Sequence, residues 1–468
     1  MIAEVKGSDW TGRRVHFLGI GGSGMSGIAK VALARGATVS GSDIHHSGVI
    51  ENLTALGAHV FSSHEATNID GMKSSDLVVK SSAVPETNPE IAAARSAGIP
   101  IWERAQFLAA LMKGFRSVAV AGTHGKTTTT SMLTVALQHC RLDPSFAIGA
   151  TVRNSGTNAH HGAGDIFVVE ADESDGSFTA YHPTGAIITN IELDHVDNFK
   201  DLASIDRIFQ EFIGTIANNG HLVACVDDPG VVRLLDYVRT HRSDIAVTTY
   251  GESIQADLVI DRISLDSKSA RARATLKGRV IGEIALSIPG RHNLLNAAAA
   301  LLMGINLGAP TNELIEGLSI FTGARRRFEI KALSGGITVV DDYGHHPTEI
   351  RATLETARQY VGAGRVLVVF QPHRFSRTQA FAADFAKELS AADRTYLLEI
   401  YPASEKPIPG VTSLSIASKM DQAKVIYEPS MPQVIAAIVA EAKPGDLILT
   451  LGAGDVSSMA PLIAANLN

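Results

Sequence analysis

The chain has 468 residues, which at about 150 residues per domain predicts roughly three domains with length to spare for apolar cores. Its 41 Lys and Arg against 48 Asp and Glu give a formal charge of −7. That excludes a general nucleic-acid or anionic-membrane binder and leaves room only for a local basic groove. Hydrophobic residues at 45% and charged ones at 19% exclude wholesale disorder, and two cysteines, Cys140 and Cys225, suit a reducing compartment better than a disulfide framework.

The opening MIAEVKGSDW has no apolar core of the kind a secretory leader needs, and no run reaches the ~18 apolar residues of a membrane span. A soluble, cytoplasmic protein without membrane insertion is expected. The richest apolar run, residues 294–309, is broken by Asn296, Asn306 and glycines and reads as a buried Ala-rich helix.

In chain order, three blocks of α/β character follow one another. Residues 1–113 alternate short β-rich runs (15–20, 38–42, 76–81) with Ala-rich helical stretches, which predicts βαβ units and a parallel sheet. Residues 114–323 open on a strand running into Gly122 and continue through strands at 165–170 and 186–190. Residues 257–289 then alternate apolar and polar positions, which predicts antiparallel hairpins appended to that sheet. Residues 324–468 hold strand-like runs at 337–340, 365–370, 395–398, 424–427 and 446–451, giving a second doubly wound, Rossmann-like sheet.

The chemistry-bearing motifs sit where these strands end. Gly19-Ile-Gly21-Gly22-Ser23-Gly24 follows a strand and opens a helix, so its backbone N–H groups can approach a diphosphate at a helix N-terminus. Asp43, at the end of the next strand, stands where a ribose-binding acid sits in a dinucleotide fold. A tight βα turn without a ligand would show the same glycines. Gly122-Thr123-His124-Gly125-Lys126-Thr127-Thr128 is a phosphate-wrapping loop: lysine for the β- and γ-phosphates, threonine hydroxyl for Mg²⁺. Val120 stands where the full pattern has its first glycine.

Acids follow. In Glu170-Ala-Asp172-Glu173-Ser-Asp175, Glu170 is the first acid past its strand and the first choice for a Mg²⁺ ligand; some of the others would cap a helix. In Thr189-Asn190-Ile-Glu192-Leu-Asp194-His195-Val-Asp197, His195 can ligate a second metal or touch a phosphate, though one histidine among 17 is more often structural. His292, Asn293 and Asn296 open the Ala-rich helix, either capping it or framing a base.

Arg325-Arg326-Arg327 is a solvated basic face or, near a phosphate loop, a neutralising group for a transferring phosphoryl. Asp341-Asp342-Tyr-Gly-His345-His346 follows a strand at a sheet's carboxyl edge, where ligands bind. Arg374 and Arg377 follow another strand, and an arginine pair suits a carboxylate as well as a structural salt bridge.

Taken together and in order, these segments resemble the Mur ligase family of peptidoglycan synthesis over nearly the whole chain. Asp-Asp-Tyr-Gly-His-His-Pro and Phe-Gln-Pro-His-Arg-Phe-Ser-Arg-Thr are specific to its alanine-adding branch and near relatives. The resemblance also accounts for Val120, since these enzymes use the shorter loop. It implies a first domain (1–113) that holds the UDP part of a substrate, a central ATP-binding domain (114–323), and a third domain (324–468) that brings an amino acid and closes over the site. The implied reaction joins L-alanine to the lactyl carboxylate of UDP-N-acetylmuramate through an acyl phosphate, with ATP and two Mg²⁺ ions. It calls for positioned phosphates more than a covalent nucleophile.

Carried over by position, Lys126 would stabilise the β- and γ-phosphates, Thr127 and Glu170 would hold one Mg²⁺, and His195 a second. His292, Asn293 and Asn296 would line the adenine pocket, Arg327 would bridge ATP phosphates and Asp342 would touch the ribose. Gly19, Gly21, Gly22, Ser23, Gly24 and Asp43 would face the UDP substrate. His345, His346, Arg374 and Arg377 would face the amino acid and the acyl end. The carbamylated lysine that several sister enzymes place after their Asp-His segment has no counterpart in Ile205-Asp-Arg-Ile-Phe-Gln-Glu-Phe, leaving open what completes the second metal's shell. An NAD-dependent dehydrogenase explains only Gly19 to Gly24 and Asp43. A nucleotide sensor without turnover leaves the ligand cluster unexplained.

Overall fold

The computed structural model describes residues 10–467; apart from Trp10, the segment read for a secretory leader lies outside the described residues. Three α/β units follow one another, each with a sheet drawn from one contiguous stretch of chain. The first sheet contains β1 (Arg14–Leu18), β2 (Thr38–Ser42), β3 (His59–Phe61), β4 (Leu77–Lys80) and β5 (Ile101–Glu103). It is wholly parallel in the order β3-β2-β1-β4-β5, as the alternation of runs and helices predicts.

The second sheet has ten strands. They are β6 (Arg116–Ala121), β7 (Ser145–Val152), β8 (Thr157–His160), β9 (Ile166–Glu170), β10 (Gly185–Ile188), β11 (His221–Cys225), β12 (Ala246–Gly251), β13 (Leu258–Leu265), β14 (Ala270–Leu276) and β15 (Arg279–Leu286). In the order β15-β14-β13-β12-β11-β10-β6-β9-β7-β8, its middle is parallel and β13 to β15 are the antiparallel extension. Their inward positions, Ile260, Ala272, Ala274 and Ile284, are buried in one core with the Ala-rich helix Arg291–Asn306. The β7–β8 hairpin on the other flank has no clear alternation in its sequence and was legible only in the structure.

The third sheet contains β16 (Glu329–Ser334), β17 (Ile337–Asp342), β18 (Val366–Phe370), β19 (Arg394–Leu397), β20 (Val425–Tyr427) and β21 (Leu447–Leu451). Its order is β16-β17-β21-β18-β19-β20, parallel except for the edge strand β16. β6, β9, β10, β18 and β21 are buried on both faces, the signature of parallel strands covered by helices. No helix among the described residues is long and apolar enough to cross a membrane.

The cores are not divided like the sheets. One apolar cluster runs from Trp10, Phe17 and Phe107 in the first unit through Phe167 to Phe178, Phe209 and Phe212 in the second. The β7–β8 hairpin packs on helix Ser23–Ala34 of the first unit. There Asn158 donates to Ser23 O at 2.9 Å and accepts from Lys30 Nζ at 3.0 Å. The third unit keeps two clusters of its own, centred on Phe370 and Phe385 and on Val339 and Ile448.

Candidate active site between three domains

β9, β6 and β10 lie side by side in parallel, so their carboxyl ends deliver Glu170, the loop after Ala121 and the segment after Ile188 to one edge. The loop is built on close approach. Gly122 has φ +133°, and a Cβ there would lie 2.0 Å from Thr189 Oγ1. Gly125 has φ +82°, and its Cβ would lie 2.6 Å from Asn296 Oδ1. Thr189 and Asn190 hold the loop from behind. Thr189 Oγ1 donates to His124 O (2.6 Å), and Asn190 accepts from His124 N (2.7 Å) and donates to His124 O (3.0 Å). Helix Lys126–His139 starts straight from this loop, so its first N–H groups face the cradle.

Lys126 Nζ donates to Gly122 O (2.7 Å), Thr123 O (3.1 Å) and Glu173 Oε1 (3.0 Å). Burial works against its charge, but Glu173 and Asp172 opposite it prevail and raise its pKa. Thr127 Oγ1 donates to Glu170 Oε1 at 2.7 Å, while Glu170 Oε2 accepts Gly149 N at 2.7 Å. The pair of hydroxyl and carboxylate oxygens is a donor set for a hard cation.

His195 sits at φ +50°, an uncommon conformation for a non-glycine residue and a place where functional sites store strain. Its Nε2 lies 3.5 Å from Glu173 Oε1 and 3.7 Å from Asp194 Oδ2. Asp172, Glu173 and His195 offer three ligand atoms all within 4.8 Å of one another. Asp172 and Glu173 thus place two carboxylates beside the His195 ring.

A cavity of about 300 Å³ opens on the other side of the loop, walled by Ile288, Phe321 and Phe328 and by His292, Asn293 and Asn296 from the Ala-rich helix. Asn293 Nδ2 donates to Pro289 O (2.7 Å), and Asn296 Oδ1 accepts from Thr129 Oγ1 (3.2 Å). Burial and the neighbouring Arg327 lower the His292 pKa to about 4, so its ring is neutral at pH 7. Thr128, His124 and Gly125 complete the loop side, and Asp342 and Arg327 enter from the third domain. Asp342 accepts from Phe328 N (2.6 Å), Gly344 N (2.8 Å) and Thr353 Oγ1 (3.2 Å), bonds that fix its carboxylate at the rim. Arg327 reaches across the domain boundary, with Nη2 3.4 Å from Thr127 Oγ1 and Nη1 3.5 Å from Glu349.

A second cavity, about 290 Å³, lies between the first and central domains and is lined by Gly22, Ser23, Gly24, Ser81, Arg104, Glu170 and Asp172. Within the glycine turn the N–H groups of Gly19 and Gly22 are engaged by Ser42 O and Gly19 O. Gly21 N donates to Asp43 Oδ2 at 2.9 Å. Asp43 thus braces the turn with one oxygen, and the start of helix Ser23–Ala34 borders the cavity. Arg104 lies against Gly24, where a Cβ would meet its Cδ at 3.2 Å.

Several of the third domain's candidate site residues are engaged by the central domain. Arg377 is only 4% exposed and donates from Nε (2.9 Å) and Nη2 (2.8 Å) to the equally buried Asp194. Arg374, at φ +71°, pairs with Asp197. His346 caps helix Pro347–Val361, and its Nε2 lies 3.2 Å from Leu193 O. His345 stacks edge-on against His373 at 5.8 Å, with burial holding its pKa well below the usual histidine value. As placed here, Arg377 and His346 tie the third domain to the central one, because the Asp194 segment offers a buried carboxylate and a carbonyl at the boundary.

Three groups were missed in the sequence. Glu349 gathers His124, His345 and Arg327 around one carboxylate. Its signal was its place three residues after His346, a capping box with an unusual cap residue. Arg104 carries no motif. Glu173 stood inside a motif but was not separated there from its neighbours.

A parallel sheet with a phosphate loop, an acid on that loop's threonine and an arginine arriving from a following domain defines a three-domain ATP-using enzyme. The chain belongs to the Mur ligase family. The family's catalytic domain matches residues 14–116, the Mur ligase middle domain 120–304, and the Mur ligase glutamate ligase domain 326–454. UDP-N-acetylmuramate–L-alanine ligase of Saccharopolyspora erythraea is 47% identical over 458 residues, covering 97% of this chain and 93% of its own. The enzyme of that name from Mycobacteroides abscessus is 46% identical, covering 95% and 93%. Among solved structures, the UDP-N-acetylmuramate–alanine ligase of Thermotoga maritima superposes with a TM-score of 0.80 at 30% identity, covering 97% and 98%. A murein peptide ligase from Psychrobacter arcticus gives 0.72 at 25%, covering 97% and 99%.

Proposed function

We propose that this chain joins L-alanine to the lactyl carboxylate of UDP-N-acetylmuramate at the expense of ATP, giving ADP and phosphate in the cytoplasmic synthesis of peptidoglycan precursors. The observation that carries the reading is the position of Glu170. It accepts from Thr127 of the phosphate loop and also lines the cavity beside Gly22 to Gly24. The phosphate end of one substrate and the acyl end of the other would therefore meet at this carboxylate.

ATP would lie with its base among His292, Asn293 and Asn296 and its ribose near Asp342. Its phosphates would lie on the loop Gly122 to Thr128, held by Lys126 and Arg327. Thr127 with Glu170, and His195 with Asp172 and Glu173, have the oxygen and imidazole donors for two Mg²⁺ ions. Bound there, Mg²⁺ supplies neutralisation of phosphate charge. The muramate carboxylate attacks the γ-phosphorus and ADP departs. The alanine amine then attacks the acyl carbon, loses a proton, and phosphate leaves. Lys126 and Arg327 offset the charge on the transferring group, the kind of electrostatic positioning that dominates phosphoryl transfer. Gly19, Gly21, Gly22, Ser23, Gly24 and Asp43 would form and brace the UDP side. His345 and Arg374 would border the acceptor, with His346 and Arg377 behind them.

The test is phosphate release from ATP and Mg²⁺ with UDP-N-acetylmuramate, with and without L-alanine. Release requiring both substrates is the expected result. Stimulation by L-alanyl-γ-D-glutamyl-meso-diaminopimelate alone would make the chain a peptide-recycling ligase. No stimulation by either acceptor would overturn the reading.

A further inference from the structure

We propose that His124, Glu192 and His346 form a site for an imidazole-preferring divalent transition ion of the Zn²⁺, Ni²⁺ or Co²⁺ class, which pins the third domain to the central one. His124 and Glu192 come from the central domain and His346 from the third. None of them belongs to the donor sets of Thr127 with Glu170 or of Asp172, Glu173 and His195.

The spacing suits an ion. Tetrahedral arms of about 2.0–2.1 Å place ligand atoms about 3.3–3.4 Å apart. His124 Nε2 lies 3.3 Å from Glu192 Oε2, and His346 Nδ1 lies 3.8 Å from the same oxygen. The three ligand atoms all fall within 4.8 Å of one another, and the two rings are 4.6 Å apart between centroids. Small ring movements close the set.

The outer contacts are those of a metal site. A ligating histidine normally donates its second ring N–H to a carboxylate or backbone carbonyl, which fixes the tautomer. Here His124 Nδ1 faces Glu349 Oε1 at 3.5 Å and His346 Nε2 faces Leu193 O at 3.2 Å. These partners leave His124 Nε2 and His346 Nδ1 turned toward Glu192. Thr348 Oγ1 donates to Glu192 Oε2 at 2.7 Å and holds the carboxylate in place. The contacts the ion would replace are the two long ones, His124 Nε2 with Glu192 Oε2 and Thr348 N with His346 Nδ1, each 3.3 Å.

Two cavities reach the cluster. The nucleotide-side cavity touches His124 and Glu192, and an interdomain groove of about 480 Å³ touches Glu192 and His346. Imidazole donors favour Zn²⁺, Ni²⁺ or Co²⁺ over Mg²⁺, which takes oxygen donors, so the two kinds of ion sort between sites. The groups facing His124 are Glu192 from the loop after β10 and Glu349 and His346 from the start of helix Pro347–Val361, with Arg327 beyond Glu349. On binding, the ion takes the place of the proton on His124 Nε2, and that proton leaves to solvent.

The experiment is equilibrium dialysis of the full chain against Zn²⁺ in millimolar Mg²⁺, with Co²⁺ absorption as a spectroscopic check of histidine ligation. One ion per chain should bind. Its affinity should fall by about tenfold or more in His124→Gln, Glu192→Gln and His346→Gln. It should persist in the double variant Glu173→Gln/His195→Gln, which disables the other cluster. Unchanged affinity in folded His124→Gln and Glu192→Gln, or loss only in the double variant, would overturn the site. Since His346 caps a helix, the other two variants carry the test if His346→Gln fails to fold. Zn²⁺ should also slow proteolysis of residues 320–328 in the wild type and not in His124→Gln. Binding without such protection would overturn the pinning.

Discussion

At the scale of single residues, the site is a set of buried charges that hold one another in place until substrates arrive. Lys126 is the clearest case, with two loop carbonyls and Glu173 around its ammonium. A nucleotide would compete with Glu173 for that charge, and its release frees a carboxylate beside His195. Replacing Lys126 by Ala removes a group aimed at the developing phosphoryl charge, and kcat should fall about 10²–10³-fold in the phosphate-release assay. The same change leaves Glu173, 2% exposed at its side chain, without its cation, so the melting temperature should fall as well. Both residues lie in motifs readable from sequence, but their pairing does not, because 47 positions separate them and only the adjacency of β6 and β9 joins them.

Elements show where sequence reading succeeds and why. Strands buried on both faces announce themselves as unbroken apolar runs, and residues after such runs fall at the carboxyl edge where chemistry gathers. That logic reaches Gly122, Glu170, His195 and Asp342 with no knowledge of tertiary contacts. It fails for the β7–β8 hairpin, whose partners are set by packing on helix Ser23–Ala34, and for Glu349 and Arg104, each of which sits beside at least one group of another domain: His124 for Glu349, and Tyr181 and Asp172 for Arg104. At the phosphate loop, Gly122→Ala should abolish nucleotide binding in a calorimetric titration. Its φ of +133° and the 2.0 Å approach to Thr189 Oγ1 leave no room for a methyl group.

Helix Pro89–Ser96 supports a pH prediction. Its Glu90 is fully buried and accepts from His16, His64, Asn68 and Ser42. Burial opposes its ionisation, but these donors prevail and lower its pKa to about 2. A depressed carboxylate stabilises the fold above its unfolded value of 4.5 and loses that contribution as pH falls from there through about 2. The amount is of order 3 kcal/mol. Both tryptophans, Trp10 and Trp102, lie in the first domain, so urea midpoints read by tryptophan fluorescence should drop across that window and flatten in Glu90→Gln.

For the molecule as a whole, two kinds of joint connect the three domains. The first and central domains share one apolar core and should move as a single body. The third keeps its own cores and meets them through Arg377–Asp194, Arg374–Asp197, Thr348–Glu192 and His346–Leu193. Polar joints of this kind permit hinge motion, so the third domain is the one expected to move against the other two. Arg377→Ala leaves Asp194 buried and unpaired, and should weaken this docking by about 3–5 kcal/mol. Small-angle scattering should then show a larger radius of gyration with the first two domains still docked. A raised KM for L-alanine without expansion would instead put Arg377 in direct contact with the amino acid.

The hairpin β7–β8 bears on how the protein is made. It covers helix Ser23–Ala34, yet it is encoded after the entire first domain, about 50 residues beyond Met112. At translation speeds of roughly 5–20 residues per second, the ribosome needs about 2–10 s to add those residues. During that interval the nascent first domain presents an uncovered helix, including Met25 and Ile28 of the shared core. A chaperone that binds exposed apolar helices would therefore find its target on the growing chain and lose it once residue 160 has emerged and folded back.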